Sequence, residues 1–262
     1  NQINDLLKQF PQLEVAYLTG NVSGLVRFDP ASQTFVKMET PAFGGIHPFN
    51  YKPLNQNNMM NFSTGDINLF LDANNDIRFE DALKFPRMLA EFNEDKQLMV
   101  VDVPEYIITS NYGGIAEAHG FGDRTWTSFV MRVNAQVGAV GFYGHGAFFR
   151  TELLKEFGTM PPDYVSEDIM LAIQIWLKEG RAYHITHREY VQVGKGREVS
   201  VQGGSVPFQK FAAGGAELSI GRQLTRLFAS NEFNWYQKLM LFFTLSFFTR
   251  KPLILMALPV YL

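Results

Sequence analysis

The feature that most constrains this chain is the alternation of short apolar runs with stretches of helical periodicity, the pattern of a mostly parallel sheet covered on both faces by helices. Leu13 to Leu18 reads as an early strand. Gly24 to Phe28 and Thr34 to Met38 read as a hairpin turned by Asp29-Pro30-Ala31-Ser32. Ile67 to Leu71 reads as a buried strand running into the acidic loop Asp72-Ala73-Asn74-Asn75-Asp76, and a helix follows from about Glu80 to Phe92. A strand at Leu98 to Val103, a helix across Thr125 to Gln136 and a short strand at Ala139 to Phe142 continue the series. Ser166 opens the clearest helix, because Ile169, Ala172, Ile173, Trp176 and Leu177 have helical spacing and Gly180 stands where a left-handed residue ends helices. Strands at Ala182 to Ile185 and Glu189 to Val193 follow, then a glycine-rich loop and a helix ending near Ala229. Strand, acidic loop, helix is the order in which open α/β sheets hold ligands at the carboxyl ends of strands.

Composition narrows the chemistry. With 46% hydrophobic residues in 262, the chain can bury a large core. A formal net charge of −3 supplies no basic field, so no nucleic-acid partner is expected. The absence of cysteine removes disulfides, thiolate zinc sites and cysteine nucleophiles together, leaving carboxylates, histidines, lysines and hydroxyls. Asn1 to Leu7 shows neither an initiator methionine nor a signal-peptide pattern, so a fragment of a longer protein is expected. The expected layout is a core over 1–230, an interfacial amphipathic helix over 231–249, and the start of a truncated transmembrane segment over 250–262 around the basic hinge Arg250-Lys251-Pro252.

Each polar cluster has two readings. Asp72 to Asp76 can hold a hard cation or a ribose and diphosphate, or be an Asx-rich turn; a calcium hand fails because Ile77 replaces the needed glycine and Leu83 the bidentate glutamate. Ser166-Glu167-Asp168 can be a helix cap with dipole-complementing acids, or can present Asp168 as general base to an acceptor hydroxyl. Gly194-Lys195-Gly196-Arg197 can neutralise a leaving diphosphate or be a hairpin turn with solvated charges. Lys52-Pro53-Leu54-Asn55-Gln56-Asn57 can grip a sugar nucleotide or cap a helix. His184 and His187 would point to opposite faces of a strand, which disfavours a metal there. No Walker loop, dinucleotide glycine fingerprint or Ser-His-Asp order is present.

Taken in order, these strings resemble glycosyltransferase family 48, the fungal 1,3-β-glucan and plant callose synthases. The likeness rests on Phe10 to Leu18, Lys52 to Asn57, Asp72 to Asp76 with Glu80, Tyr143-Gly144-His145, Ser166 to Ile169 and, most specifically, Tyr190 to Arg197. Gly146 to Leu154 departs from it and is more like the acceptor region of family 2 enzymes. Ala216 to Arg222 keeps only part of the family's glutamate- and arginine-bearing helix. The resemblance implies an α/β fold of GT-A type, a mixed and mostly parallel sheet followed by interfacial and truncated transmembrane helices, with its first nucleotide-binding strand before Asn1. It implies an inverting, processive transfer of glucose from UDP-glucose to a growing 1,3-β-glucan at the cytoplasmic face of a membrane, with a regulatory GTPase subunit as a further partner. Asp168, or else Glu167, would be the base. Lys52, Asn55, Asn57, Asp72, Asn74, Lys195 and Arg197 would bind donor, with Mg2+ or Mn2+ at Asp72 and Asn74. His145, Glu217 and Arg222 would handle acceptor or support the site. The alternatives are a family 2-type synthase of another β-glycan and a non-catalytic sugar-nucleotide sensor.

Overall fold

A computed structural model describes residues 2–42, 51–71, 75–76, 85–96, 98–102, 105–108, 125, 129–138, 142, 146–157, 160–161, 163–177, 181–184, 192–195, 209, 212–218 and 221–246. The chain begins with helix α1 (Gln2–Gln9), whose Leu7 is fully buried, and then an antiparallel meander of β1 (Glu14–Thr19), β2 (Val22–Asp29) and β3 (Thr34–Pro41). The expected hairpin is present and its turn is held by side chains. Asp29 accepts hydrogen bonds from the Ala31 N–H at 3.0 Å and the Ser32 hydroxyl at 2.6 Å, and Gln33 adopts φ 55°. These bonds, the Ser32 hydroxyl foremost, hold the Asp29 carboxyl below the usual aspartate range. On the sheet the Tyr17 ring lies across its register partner Gly24, where a Cβ would stand 1.9 Å from the ring. The Tyr17 hydroxyl donates to Glu39 at 2.7 Å.

Helix α2 (Tyr51–Phe62) follows and packs on β1 and β2. Its inward face mixes Leu54 and Met60 with the amides of Asn57 and Asn58, all buried. Asn57 pairs with the Met160 backbone and Asn58 donates to the Tyr17 carbonyl at 2.9 Å, while the neighbouring Asn61 donates to the Ser23 hydroxyl at 3.2 Å. The Lys52 to Asn57 string is therefore the first half of a helix rather than its cap.

The central sheet has the order β4-β8-β6-β9, made from β4 (Ile67–Phe70), β6 (Leu98–Asp102), β8 (Ala147–Arg150) and β9 (Arg181–His184). Between β4 and β6 runs helix α3 (Phe85–Glu94), which packs on β6. Every residue of β6 is buried, as a strand enclosed in a sheet should be. β6 and β9 are parallel, whereas β8 runs antiparallel to both β4 and β6. Pairing among the described strands is thus mixed, with antiparallel ladders predominant where a mostly parallel sheet is expected. In the central sheet the cause is β8, which enters against the direction of both neighbours, and the β1–β2–β3 meander adds two further antiparallel ladders.

Arg150 ends β8 and binds the α3–β6 crossover. Its guanidinium donates to the carbonyls of Leu98 at 3.0 Å, Asp95 at 2.9 Å and Phe92, and lies 5.3 Å from the Phe92 ring centroid. Helix α4 (Met131–Gln136) packs on β9, and helix α5 (Thr151–Phe157) extends directly from β8. Helix α6 (Glu167–Leu177) inserts Met170, Leu171, Ile173, Ile175 and Trp176 into the main core, where Trp176 meets Phe233 edge-on with centroids 6.4 Å apart.

A second sheet, β5-β10-β7, is built from β5 (Asn75–Asp76), β7 (Glu105–Ile108) and β10 (Gln192–Lys195), with β10 parallel to β7 and antiparallel to β5. A helical segment at 212–218, helix α7 (Arg222–Ala229) and helix α8 (Trp235–Leu245) complete the described chain. α8 starts with a reciprocal cap: the Gln237 N–H donates to the Asn234 side chain, and the Asn234 N–H to the Gln237 side chain, both at 2.9 Å. At 1.5 Å per residue its 11 residues span about 16 Å. No helix among the described residues is long and apolar enough to cross a membrane, and 250–262 lie outside them.

Candidate functional site at the carboxyl edge of the central sheet

Topology gathers the polar strings at one edge. β4 and β6 both run antiparallel to β8, and β9 runs parallel to β6, so the carboxyl ends of β4, β6 and β9 share one edge with the amino end of β8. Each strand of the second sheet follows one of these three in sequence: β5 follows β4, β7 follows β6 and β10 follows β9. The register sets Asp76 beside Val193 and Asn75 beside Gly194. Backbone from the acidic loop is thereby hydrogen-bonded to backbone from the Gly194-Lys195 string, two segments that the sequence separates widely. Lys195 ends β10 opposite Ile108.

Helix α6 brings its acids to the same edge. It packs on β9 and leads into it through 178–180 alone, so it runs back along the strand. About 16 Å of helix against about 13 Å of strand puts its amino end at the carboxyl edge. Burial then separates the two carboxylates. Glu167 is 2% exposed and belongs to the packed interior, whereas Asp168 is half-buried and accepts a hydrogen bond from the Ile169 N–H at 2.8 Å. The Ser166 carbonyl accepts from the Met170 N–H at 3.0 Å, so Ser166 stands at the cap position. Just upstream, the Val165 N–H donates to Glu217 at 3.0 Å. Glu217 thus touches the segment that carries the acids, while Arg222 is exposed at the start of α7.

The other expected residues divide. Asn57 is 1% exposed, and both halves of its amide are engaged by Met160: Nδ2 donates to the carbonyl and Oδ1 accepts from the N–H, each at 2.8 Å. It ties α2 to the approach to α6. Lys52 is half-buried and Asn55 exposed on α2. Asp72, Asn74, His145 and Arg197 lie outside the described residues, as does Tyr143, and Lys195 is described only by its backbone. Among the described residues no group of three or more acids and histidines is placed to hold a metal ion.

Two features escape sequence reading. Asp102 is a buried carboxylate at the carboxyl end of β6, in register with His184 of β9 and Ala147 of β8. The visible signal was an acid ending a fully apolar run. Gly214 abuts Ser166 so closely that a Cβ there would stand 1.9 Å from the serine oxygen, and nothing local in the sequence marks it.

Comparison with known proteins places the chain in a family and a fold. The family model of the 1,3-beta-glucan synthase component matches residues 1–262. Callose synthase 12 of Arabidopsis thaliana is 29% identical over 276 residues, covering 98% of this chain and 15% of that protein. Callose synthase 5 of the same plant is 34% identical over 204 residues, covering 74% of this chain and 10% of its own. The chain thus spans a small part of the length of the curated relatives it matches. Among solved structures, a mannosyltransferase from Pyrobaculum calidifontis, in complex with GDP-Man and Mn2+, superposes with a TM-score of 0.51 at 16% identity, over 78% of this chain and 50% of that one. That likeness gives the chain a GT-A-like α/β fold.

Proposed function

Since the chain belongs to the 1,3-beta-glucan synthase family, we propose that it is the catalytic core of an inverting synthase that transfers glucose from UDP-glucose to a growing 1,3-β-glucan. The observation that carries the reading is the half-buried Asp168 beside the fully packed Glu167, at the amino end of a helix that returns to the carboxyl edge of the central sheet. A general base must come within hydrogen-bond reach of the acceptor hydroxyl, and of the two acids Asp168 has the larger exposed surface. It would take the acceptor proton as that oxygen attacks the anomeric carbon. The bond to UDP breaks on the opposite face, and the configuration inverts.

Negative charge then develops on the leaving diphosphate. Lys195 and Arg197, with Lys52 and Asn55 from α2, are the groups assigned to it, and one such donor is commonly worth about 3 kcal/mol in the transition state. The reading gives a divalent ion, Mg2+ or Mn2+, to Asp72 and Asn74 after β4, where it would offset diphosphate charge. Membrane association is supported by exposed Trp235, Tyr236 and Phe243 on α8, aromatic types that favour a membrane–water boundary. A cytoplasmic active site and a regulatory GTPase subunit belong to the same proposal.

The test is Asp168→Asn in the full-length enzyme. Radiolabel transfer from UDP-glucose in membranes should fall at least about a hundredfold, with UDP still bound and the product linkage identified by linkage-specific glucanases. Unchanged turnover would remove Asp168 from the mechanism.

A further inference from the structure

We propose that Gly214 and Glu217 are positioning residues that hold the Glu167–Asp168 pair in register from outside its own helix. The inference rests on the reading of Asp168 as base and adds to it the device that fixes where the base stands. In the helical segment 212–218, Gly214, Glu217 and Leu218 fall at i, i+3 and i+4, one face of a helix. That face meets the start of α6 at three points. Leu218 is fully buried in the core shared with Met170 and Leu171. The Glu217 carboxylate accepts the Val165 N–H at 3.0 Å. Gly214 lies against Ser166 itself: a Cβ there would stand 1.9 Å from Oγ, 3.0 Å from Cβ and 3.3 Å from the backbone nitrogen.

The serine hydroxyl can rotate away from an added methyl, but its Cβ and backbone cannot. Residue 214 therefore sets how near the segment lies to the residue preceding both acids. The segment is closed on its far side by Gly221, whose N–H donates to the Glu217 carbonyl at 3.0 Å and whose Cβ would stand 2.4 Å from that oxygen. A clash at 214 is accordingly relieved by moving Ser166 and its neighbours.

The experiment measures kcat and KM for UDP-glucose in the full-length membrane enzyme, normalised to immunodetected protein, for Gly214→Ala, Ser166→Gly, the double variant, Glu217→Ala and Glu217→Gln. Shifting a catalytic group by about 1 Å can cost about a hundredfold. Once the hydroxyl has rotated, the remaining contacts at 3.0 Å and 3.3 Å ask for a smaller shift than that, so Gly214→Ala should lower kcat by about threefold to tenfold, with KM within about twofold of the starting enzyme. Ser166→Gly removes the two nearest of the three atoms that the new methyl meets and leaves only the backbone nitrogen at 3.3 Å, so the double variant should regain most of the kcat lost by Gly214→Ala. Glu217→Gln keeps an oxygen acceptor for Val165 and should lose less than Glu217→Ala. A Gly214→Ala enzyme with unchanged kcat, or one whose defect Ser166→Gly leaves untouched, overturns the proposal. Should Gly214→Ala fail to accumulate, the Glu217 pair decides: equal losses, or a loss confined to KM, overturn it. Asp168→Asn run alongside separates the two failures. Full activity there removes the base itself, whereas an inactive Asp168→Asn with uncoupled Gly214 and Ser166 removes only the brace.

Discussion

Replacing Asn57 by alanine should destabilise the protein without weakening its grip on donor. The Asn57 amide, 1% exposed, answers both backbone groups of Met160, itself 2% exposed, at 2.8 Å each. Truncation leaves a buried N–H and a buried carbonyl unpaired, at about 1–3 kcal/mol apiece, so a total of about 4 kcal/mol is expected. At roughly 2–4 °C per kcal/mol for a domain of this size, the midpoint of heat inactivation should fall by on the order of 10 °C. Asparagine to aspartate should do no better, because the carboxylate still accepts the Met160 N–H but turns an oxygen toward the Met160 carbonyl. The assay is a heat challenge of full-length enzyme in membranes, followed by residual glucan synthesis and KM for UDP-glucose in the surviving fraction. An Asn57→Ala enzyme with an unchanged thermal profile and a KM raised tenfold would refute this account and return the side chain to the donor site.

Two further outcomes follow from contacts described above. Arg150→Met removes the guanidinium from the carbonyls of Phe92, Asp95 and Leu98 and should lower stability by about 3 kcal/mol in the same heat challenge; Arg150→Lys should recover only part, since an ammonium lacks the planar fork that bridges several carbonyls. The lowered pKa of Asp29 means that its contribution to the β2–β3 turn is complete above the unfolded aspartate value and is lost as pH falls through the lower folded value. Hydrogen exchange at the Ala31 amide should therefore accelerate across that acid window, and Asp29→Asn should flatten the response.

The parts legible in the sequence are those governed by local rules. The β2–β3 hairpin follows from its Asp-Pro-Ala-Ser turn, and α6 from a serine cap ahead of a helical apolar stripe. Helix α2 was hidden because its inward face carries Asn57 and Asn58, amides that are buried only because Met160 and Tyr17 receive them. β8 and α5 were missed in Gly146 to Leu154 for a related reason: Phe148 and Phe149 are both buried, so the alternation that marks a half-exposed strand is absent from a strand enclosed on both sides. The short strands β5 and β7 derive their identity from β10, and no local pattern announces a partner so far along the chain. At the site, the acids and glycine-flanked cations were visible as residue types. Gly214 was not, since a glycine required by a neighbour from another segment looks like any loop glycine.

The placement of β8 has a consequence for how the protein is made. β4 and β6 are not paired with each other; the strand that joins them is β8, synthesised well after both. As the chain leaves the ribosome, two apolar strands and their helix must wait with unpaired edges until residue 147 has emerged. Arg150 arrives with that strand and fastens the crossover in the same event. A nascent chain stalled before this point would expose the apolar residues of β4 and β6 without the strand that covers them.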